Sequence, residues 1–315
     1  MSATTVAEAP GRVAGAPRPE TDRARAERKL GWMLCAPAVI VMLAVTAYPI
    51  LYALYLSLLR ADLRFPNDRT WVGLNNYGTV LSSSLWWNDV FHTALITVIS
   101  VAIELVLGMG LAIVMHRAIF GRGLIRTAAL IPYGIVTVVA AFAWLFAWAS
   151  SVGGFVPKAL GLNYDQLDPT HPFINYLVVI LTEVWKTTPF RALLLLAGLT
   201  LVPEELHEAA RVDGASAWQR FWRITVPLMK PAILVALLFR TLDAFRIFDS
   251  VFIISNGPNP KLETVSILGY NQLLNRLNLG LGSAVSVLIF LLVALIAFLF
   301  LRGFGTSLAQ QRGET

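Results

Sequence analysis

The chain has 315 residues, of which 57% are hydrophobic and only 14% charged, and its mean hydropathy is +0.66. Soluble domains average about 25% charged residues, so the composition excludes an ordinary soluble protein and indicates a chain embedded in a membrane. The formal net charge of +6 follows from a one-sided distribution of basic residues, so nucleic-acid binding is not needed to explain it. The single cysteine, Cys35, excludes an intramolecular disulfide.

Six apolar runs are long enough to cross the hydrocarbon core of a bilayer, which takes about 20 residues per helix. The first run is far longer than the hydrophobic region of a signal peptide, which has about 7–15 residues, so it is interpreted as an uncleaved span. The predicted fold class is therefore an all-α integral membrane protein with six transmembrane helices, at residues 32–58, 91–115, 124–149, 173–202, 231–255 and 283–301.

The placement of Lys and Arg predicts the orientation of these spans. Both terminal arms and two of the loops together hold 15 basic residues, whereas the three loops of the opposite side hold six. Both termini are therefore predicted to be cytoplasmic. Residues 1–29 are predicted to be a disordered arm because they are polar and lack apolar periodicity. The rest of the chain is predicted to be a transmembrane permease domain, residues 30–302, and a cytoplasmic tail, residues 303–315.

A polar, charge-dense loop separates the fourth and fifth runs, and its residues predict two helices joined by a bend. Gly214 is suited to end the first helix because glycine adopts the left-handed conformation easily. Ser216 and Gln219 have the spacing of a capping box, which predicts the start of the second helix. Pro227 and Pro231 are expected to end that helix.

Four charged residues recur at a spacing of three in the fifth run: Arg240, Asp243, Arg246 and Asp249. Each charge at mid-bilayer costs about 2.5–3.5 kcal/mol on insertion scales. Charged residues at this depth are therefore expected to have a structural or functional role. One interpretation is a ladder of charges that neutralise one another at this spacing. The other is a polar stripe that lines a pathway for a hydroxyl-rich solute, and the two are compatible.

The fourth run is also polar at its centre, where Glu183, Trp185, Lys186 and Arg191 surround Pro189. Proline favours a kink in a helix, and a kinked polar centre beside an indole ring is suited to a sugar. Structural pairing of the charges is the alternative. Glu104 in the second run is interpreted as the buried partner of one of these cations.

Motifs for catalysis are lacking in the sequence. No GxxxxGK[ST] phosphate loop is present, so the chain is not expected to hydrolyse ATP. The four histidines are scattered over different segments, and no His or Cys spacing indicates a metal site. The chain is therefore not expected to be an enzyme.

The polar loop carries a recognisable motif: Glu208-Ala209-Ala210, then Gly214, Ile224 and Pro227. This spacing resembles the EAA signature of ABC importer permeases. Over nearly its whole length the chain is similar to the carbohydrate-uptake permeases, which include those of maltose and glycerol-phosphate importers. The resemblance is strongest to the first permease subunits of actinobacterial trehalose importers, and it rests on the segments RTAALIP at 126–132, EVWKTTPF at 183–190 and DAFRIFDSVFIISN at 243–256.

The resemblance implies an importer of the bacterial cell membrane, in which this chain forms half of the pathway for a disaccharide such as trehalose. The implied partners are a second permease, an ATPase dimer and an extracytoplasmic solute-binding lipoprotein. ATP and magnesium would be bound by the ATPase. The implied coupling residues lie in loop 203–227 and are Glu208, Ala209, Ala210, Asp213 and Gly214, with the aromatic residues Trp218 and Phe221. The implied substrate pathway residues are Trp185, Lys186, Arg240, Asp243, Arg246 and Asp249.

Other functions remain as alternatives at this point. The solute could be another carbohydrate or a glycerol-phosphate-type compound. A secondary transporter driven by an ion gradient would need a broken-helix ion site and usually inverted repeats, neither of which is visible in the sequence. A membrane scaffold would not require the EAA spacing.

Overall fold

The computed structural model describes residues 22–117, 121–149, 154–161, 172–255 and 262–311. Its contacts divide the chain into two units, one up to Tyr52 and one from Ala53 onwards. Apart from one two-stranded sheet, the regular elements of the described residues are helices.

Helix α1, Asp22–Ser57, begins earlier than the sequence predicted. Most of the predicted disordered arm, residues 1–21, lies outside the described residues, but residues 22–29 are helical. The prediction of disorder is wrong for these eight residues. They are rich in Ala and Arg, which favour helix, and a turn added to an existing helix needs no new nucleus.

A β-hairpin follows, with strands β1, Leu59–Asp62, and β2, Phe65–Trp71. Two hydrogen bonds of 2.9 Å and 3.2 Å run from Arg64 Nε to the Asp62 carboxylate. These bonds favour the charged carboxylate and lower the pKa of Asp62 to about 2. Helix α2, Asn75–Ser82, then packs beside the hairpin, where Asn76 Nδ2 donates to the carbonyl oxygens of Ser57 and Leu59.

The centre of the second unit is the pair of long helices α3, Ser84–Arg117, and α7, Pro172–Leu199, which make the most extensive helix–helix contact. At about 1.5 Å per residue, the 34 residues of α3 span roughly 50 Å. Gly108 lies at this contact, where a Cβ would be 3.5 Å from the backbone nitrogen of Ala192, an ordinary van der Waals distance.

The predicted third span, residues 124–149, is not one straight helix. The structure contains α4, Arg122–Gly134, and α5, Thr137–Trp148, with an 85° bend between the described parts of the two helices. Pro132 and Gly134 weaken the helix at this point, since proline lacks an amide hydrogen and glycine has a low helix propensity. The short helix α6, Val156–Ala159, follows.

The polar loop contains α8, Glu204–Val212, then α9, Ala217–Arg220, and a π-helical turn, π1, Phe221–Thr225. Helix α10, Val226–Ala244, continues from π1 without a break. The prediction that Pro227 and Pro231 end the second loop helix is therefore wrong. Pro227 comes directly after π1, a π-helical turn of the kind that re-pairs backbone groups freed by a proline, and the backbone stays helical through Pro231.

The predicted fifth span, residues 231–255, is also broken. Helix α10 ends at Ala244, and α11, Asp249–Ile254, begins after a turn. Further along the chain lie α12, Val265–Tyr270, and a second π-helical turn, π2, Asn271–Asn275. The last helix, α13, is Leu279–Gln311, so it extends beyond the predicted end of the sixth span.

Among the described residues, four helical stretches are long and apolar enough to cross a membrane, and the bent α4–α5 pair forms a fifth if it counts as one span. The four are residues 29–57, 84–117, 217–244 and 279–303. Helix α7 is 28 residues long but carries Glu183, Lys186 and Arg191. Its length meets the requirement for crossing a bilayer, and its charges are accounted for by the contacts described below.

Glycine at position 198 is expected to be required for the packing of α7 on α10. A Cβ at Gly198 would overlap the Cβ of Ala232, whereas a Cβ at Gly110 in α3 would meet nothing within 4 Å. Gly198→Ala should lower the free energy of unfolding by about 1–3 kcal/mol, the usual cost of overpacking. The matched control Gly110→Ala should be neutral or slightly stabilising. Thermal unfolding in detergent measures both, and equal stability of the two variants would contradict the packing described here.

Candidate functional site: a buried charge network, a polar cavity and an exposed loop

A network of buried charges joins four helices at the middle of α7. Glu104 of α3 is fully buried and lies at its centre. It accepts hydrogen bonds of 3.0 Å from both Nε and Nη2 of Arg240 in α10, and it forms an ion pair with Arg191 of α7. Glu104 is thus the buried partner predicted from the sequence, and it binds two cations instead of one.

Arg240 extends the network to two further carboxylates. Its Nη2 donates to Glu183 of α7 at 2.9 Å, and its Nη1 donates to Asp243 at 2.8 Å. Glu183 in turn accepts a 2.6 Å hydrogen bond from the hydroxyl of Ser250 in α11. Every nitrogen of this guanidinium therefore donates to a carboxylate, which compensates for its burial.

The predicted ladder of charges in the fifth span is wrong beyond its first pair. Arg240 pairs with Asp243, but α10 ends at Ala244, so Arg246 and Asp249 do not continue the same helical face. Within the described residues, Arg246 and Asp249 form no ion pair. Arg240 is neutralised mainly by acids from α3 and α7, and this could not be read from spacing in one segment.

A cavity of about 400 Å³ lies beside the network. Five of the six predicted pathway residues line it: Lys186, Arg240, Asp243, Arg246 and Asp249. Glu183 also lines it, so three acids and three bases face the cavity and their formal charges sum to zero. This part of the structure can offer hydrogen-bond donors and acceptors to a solute without a net charge of its own.

Aromatic residues that sequence reasoning missed also line this cavity. Tyr133 stacks on Phe190 with ring centroids 4.7 Å apart, and Lys186 Nζ lies 5.8 Å from the centre of the Tyr133 ring. Phe248 lines the cavity as well and packs against Tyr270. Pro132 and Gly134 could have indicated Tyr133 as a lining residue, because together they predict a break in the helix. In a membrane, broken helix is tolerated only where it lines a cavity or is buried in protein.

Trp185, the sixth predicted pathway residue, lies elsewhere. It lines a separate, mainly apolar cavity of about 370 Å³ with Trp144 and Phe155. Its ring meets that of Trp144 edge to face, with centroids 6.3 Å apart. The structure therefore does not bring Trp185 together with the other five residues.

The predicted coupling residues lie on an exposed loop at the end of α7. Helix α8 buries none of its residues, so Glu208 and Ala209 are open to solvent. Gly214 has φ +78°, as predicted, and the amides of Gly214 and Ala215 donate to the carbonyls of Arg211 and Ala210. This is the Schellman pattern that closes a helix C-terminus, and it fixes the bend after α8.

The second loop helix begins at the predicted capping box. Ser216 N donates to Gln219 Oε1 at 2.8 Å, and Gln219 N donates to Ser216 Oγ at 3.3 Å. Of the aromatic residues that follow, Trp218 is 70% exposed, whereas Phe221 is half-buried against a cluster that includes Met109. Trp218 is therefore available to a partner, and Phe221 anchors the loop to the helices.

Loss of the Glu104 carboxylate is expected to destabilise the second unit severely. Glu104→Gln leaves Arg191 and Arg240 with one fewer negative charge in a buried site, and breaking such a pair costs about 3–5 kcal/mol. Asp243→Asn is the matched control, because that side chain is 73% exposed and the amide oxygen of asparagine can still accept the hydrogen bond from Arg240, so a smaller loss is expected.

The measurement is the yield and thermal stability of the folded chain in detergent. The double variant Glu104→Gln, Arg191→Gln should recover part of the loss, because it removes one of the stranded cations. A Glu104→Gln variant as stable as Asp243→Asn would refute the role assigned to the network.

Comparison with known proteins places the chain in a family. The family described as "Binding-protein-dependent transport system inner membrane component" matches residues 104–309. The trehalose transport system permease protein SugA of Mycobacterium tuberculosis is 55% identical over 282 residues, which cover 90% of this chain and 91% of that protein. The trehalose/maltose transport system permease protein MalF of Thermococcus litoralis is 37% identical over 279 residues, 88% of this chain and 94% of that one.

The fold is similar to that of a solved importer. A chain of a bacterial ABC transporter involved in the import of the acidic polysaccharide alginate aligns with a TM-score of 0.73 and 21% identity, over 89% of this chain and 98% of that chain. At this identity the likeness shows the fold alone. Together with the extent of the family match and the identity to the curated relatives, it leads to one conclusion: the chain belongs to the inner membrane components of binding-protein-dependent transport systems, the permease subunits of ABC importers.

Proposed function

We propose that this permease forms half of the translocation pathway for a disaccharide, trehalose, and that the 400 Å³ cavity is its solute site. The observation that carries the proposal is the combination of balanced charges and aromatic rings around one cavity at the middle of α7. Its volume lies in the range of ligand pockets, roughly 300–1,000 Å³. The 55% identity to a trehalose transport permease supports the choice of sugar.

The chemistry of the lining suits a neutral sugar. Sugar rings have apolar C–H faces, which would pack on Tyr133 and Phe248. Their hydroxyl groups would bond to Lys186, Arg246 and Asp249, the charged groups outside the buried network. A glycerol-phosphate-type solute is less well matched, because the six charged groups of the lining sum to zero.

The exposed loop supports the proposed partnership with an ATPase. Val212 is 89% exposed and Trp218 70% exposed, and apolar side chains of this size on a polar loop indicate an interaction surface. We assign this surface to the ATPase dimer, which would bind ATP and magnesium. A second permease and an extracytoplasmic solute-binding lipoprotein would complete the importer, with both termini of this chain cytoplasmic in accordance with the Lys and Arg distribution.

The loop and the cavity are joined by continuous helix. Helices α9, π1 and α10 form one continuous stretch of 28 residues, Ala217–Ala244. It begins three residues after Gly214 and ends beside Arg240 and Asp243, which line the cavity. A displacement of α8 by the closing ATPase would therefore be transmitted to the solute site through one helix.

Rigid coupling is expected to depend on the backbone of Gly214. A valine at φ +78° is strained by about 1–2 kcal/mol, whereas asparagine adopts this conformation more readily. Gly214→Val should therefore lower solute-stimulated ATP hydrolysis about tenfold in the reconstituted importer, and Gly214→Asn should retain most of it. Glu208→Ala should also lower the rate, because it removes a charge from the surface assigned to the ATPase. Unchanged stimulation in Gly214→Val would exclude this role for the bend.

Solute binding is expected to depend on Asp249 and Tyr133 and not on Trp185. Asp249→Asn removes a charge that has no ion pair within the described residues, so folding should be preserved while hydrogen bonding to the solute weakens. It and Tyr133→Leu should each lower trehalose transport per assembled importer about tenfold, equivalent to roughly 1.4 kcal/mol.

Trp185→Leu is the matched control, since Trp185 lines the separate apolar cavity. Its transport per assembled importer should stay near that of the wild type. If Trp185→Leu loses transport and Asp249→Asn does not, the solute site lies in the other cavity, although the chain remains an importer permease.

A further inference from the structure

A third cavity, of about 410 Å³, lies between the Arg117 end of α3, the end of α7 and the loop helices. Below it is called the basic cavity. Its lining shares no residue with that of the proposed solute site. Its volume also falls in the range of ligand pockets, roughly 300–1,000 Å³, so a small molecule or a headgroup fits it.

The lining of the basic cavity is strongly cationic. Its single acid, Glu204, lies 3.8 Å from Arg211, and both side chains are more than 60% exposed. Within the described residues Arg117 and Arg220 form no ion pair, although Arg220 Nη1 donates to the Ala215 carbonyl at 2.6 Å. Three guanidinium groups and two imidazoles therefore face one cavity with a single carboxylate, and they belong to Arg117, Arg211, Arg220, His116 and His207.

We infer that the basic cavity binds a phosphate group of a small ligand or a lipid. Guanidinium groups bind phosphate through paired, charge-assisted hydrogen bonds, and imidazole nitrogens add further donors. The lining also contains the apolar side chains of Ile113, Leu199 and Phe221. The ligand class is therefore a phosphate ester with a carbon skeleton, such as a phosphorylated sugar or the headgroup of an anionic phospholipid.

The position of the basic cavity gives such a ligand a regulatory role. Arg117 ends α3, whereas His207 and Arg211 belong to α8, the helix assigned to the ATPase. A phosphate bound between them would hold α8 against α3. This inference does not depend on trehalose being the solute, because none of the cavity residues lines the solute site.

The test uses the assembled importer in lipid nanodiscs. It has two arms, one for a soluble phosphate ligand and one for a lipid headgroup. In phosphatidylcholine nanodiscs, inorganic phosphate and glucose 6-phosphate are titrated and binding is measured by calorimetry. In nanodiscs that also contain phosphatidylglycerol, native mass spectrometry measures the lipid retained. Arg117→Gln and His207→Gln are compared with Arg223→Gln, an exposed arginine of π1 that does not line the cavity.

We expect binding in one of the two arms to weaken about tenfold in Arg117→Gln and to be unchanged in Arg223→Gln. This result supports the site, and the arm in which it occurs shows whether the phosphate group belongs to a soluble ligand or to a lipid. His207→Gln gives the same comparison if Arg117→Gln does not assemble. Absence of binding in both arms, as expected if acidic groups of the ATPase fill the cavity, overturns the inference. An equal loss in Arg223→Gln also overturns it, because it indicates diffuse attraction to a basic surface.

Discussion

The ion pairs of Glu104 constrain the arrangement of the helices around it. A charge buried in a low-dielectric interior is costly unless a partner meets it with good geometry, and Glu104 is fully buried. It pairs with Arg191 of α7 and Arg240 of α10, so the rotation and register of both helices against α3 are set by one carboxylate. Glu183 and Ser250 extend the same constraint to α11.

This constraint also divides the polar residues of the membrane region into two groups. Glu104, Glu183, Arg191 and Arg240 bind one another, so their charges are compensated inside the protein. Lys186, Arg246 and Asp249 stay outside that network and face the cavity. Structural pairing and solute binding were alternatives for the same residues in the sequence. The structure shows that the first group is paired, and it is the second group for which we propose contact with the solute.

The two breaks in the membrane helices both lie beside the 400 Å³ cavity. Both the bend between α4 and α5 and the turn between α10 and α11 contribute to the cavity lining, through Tyr133 and Thr137 in the first case and Arg246 and Phe248 in the second. Irregular backbone is tolerated at membrane depth only where it lines a cavity or is buried in protein. The stretch Ala217–Ala244, in contrast, is helical without a break, so it can transmit a displacement of the loop to the cavity.

The sequence alone predicted the features that depend on local chemistry. Membrane embedding follows from composition, the left-handed Gly214 and the Ser216–Gln219 capping box follow from backbone preferences of neighbouring residues, and the EAA spacing identified the family. The continuation of helix through Pro227 was missed because a π-helical turn accommodates the proline, and such a turn has no clear sequence signal. The partners of Arg240 and the separation of Trp185 from the charged cavity were decided only by tertiary structure. Glu104 lies 136 residues before Arg240, and no pattern within one helix encodes which distant carboxylate a buried guanidinium will meet.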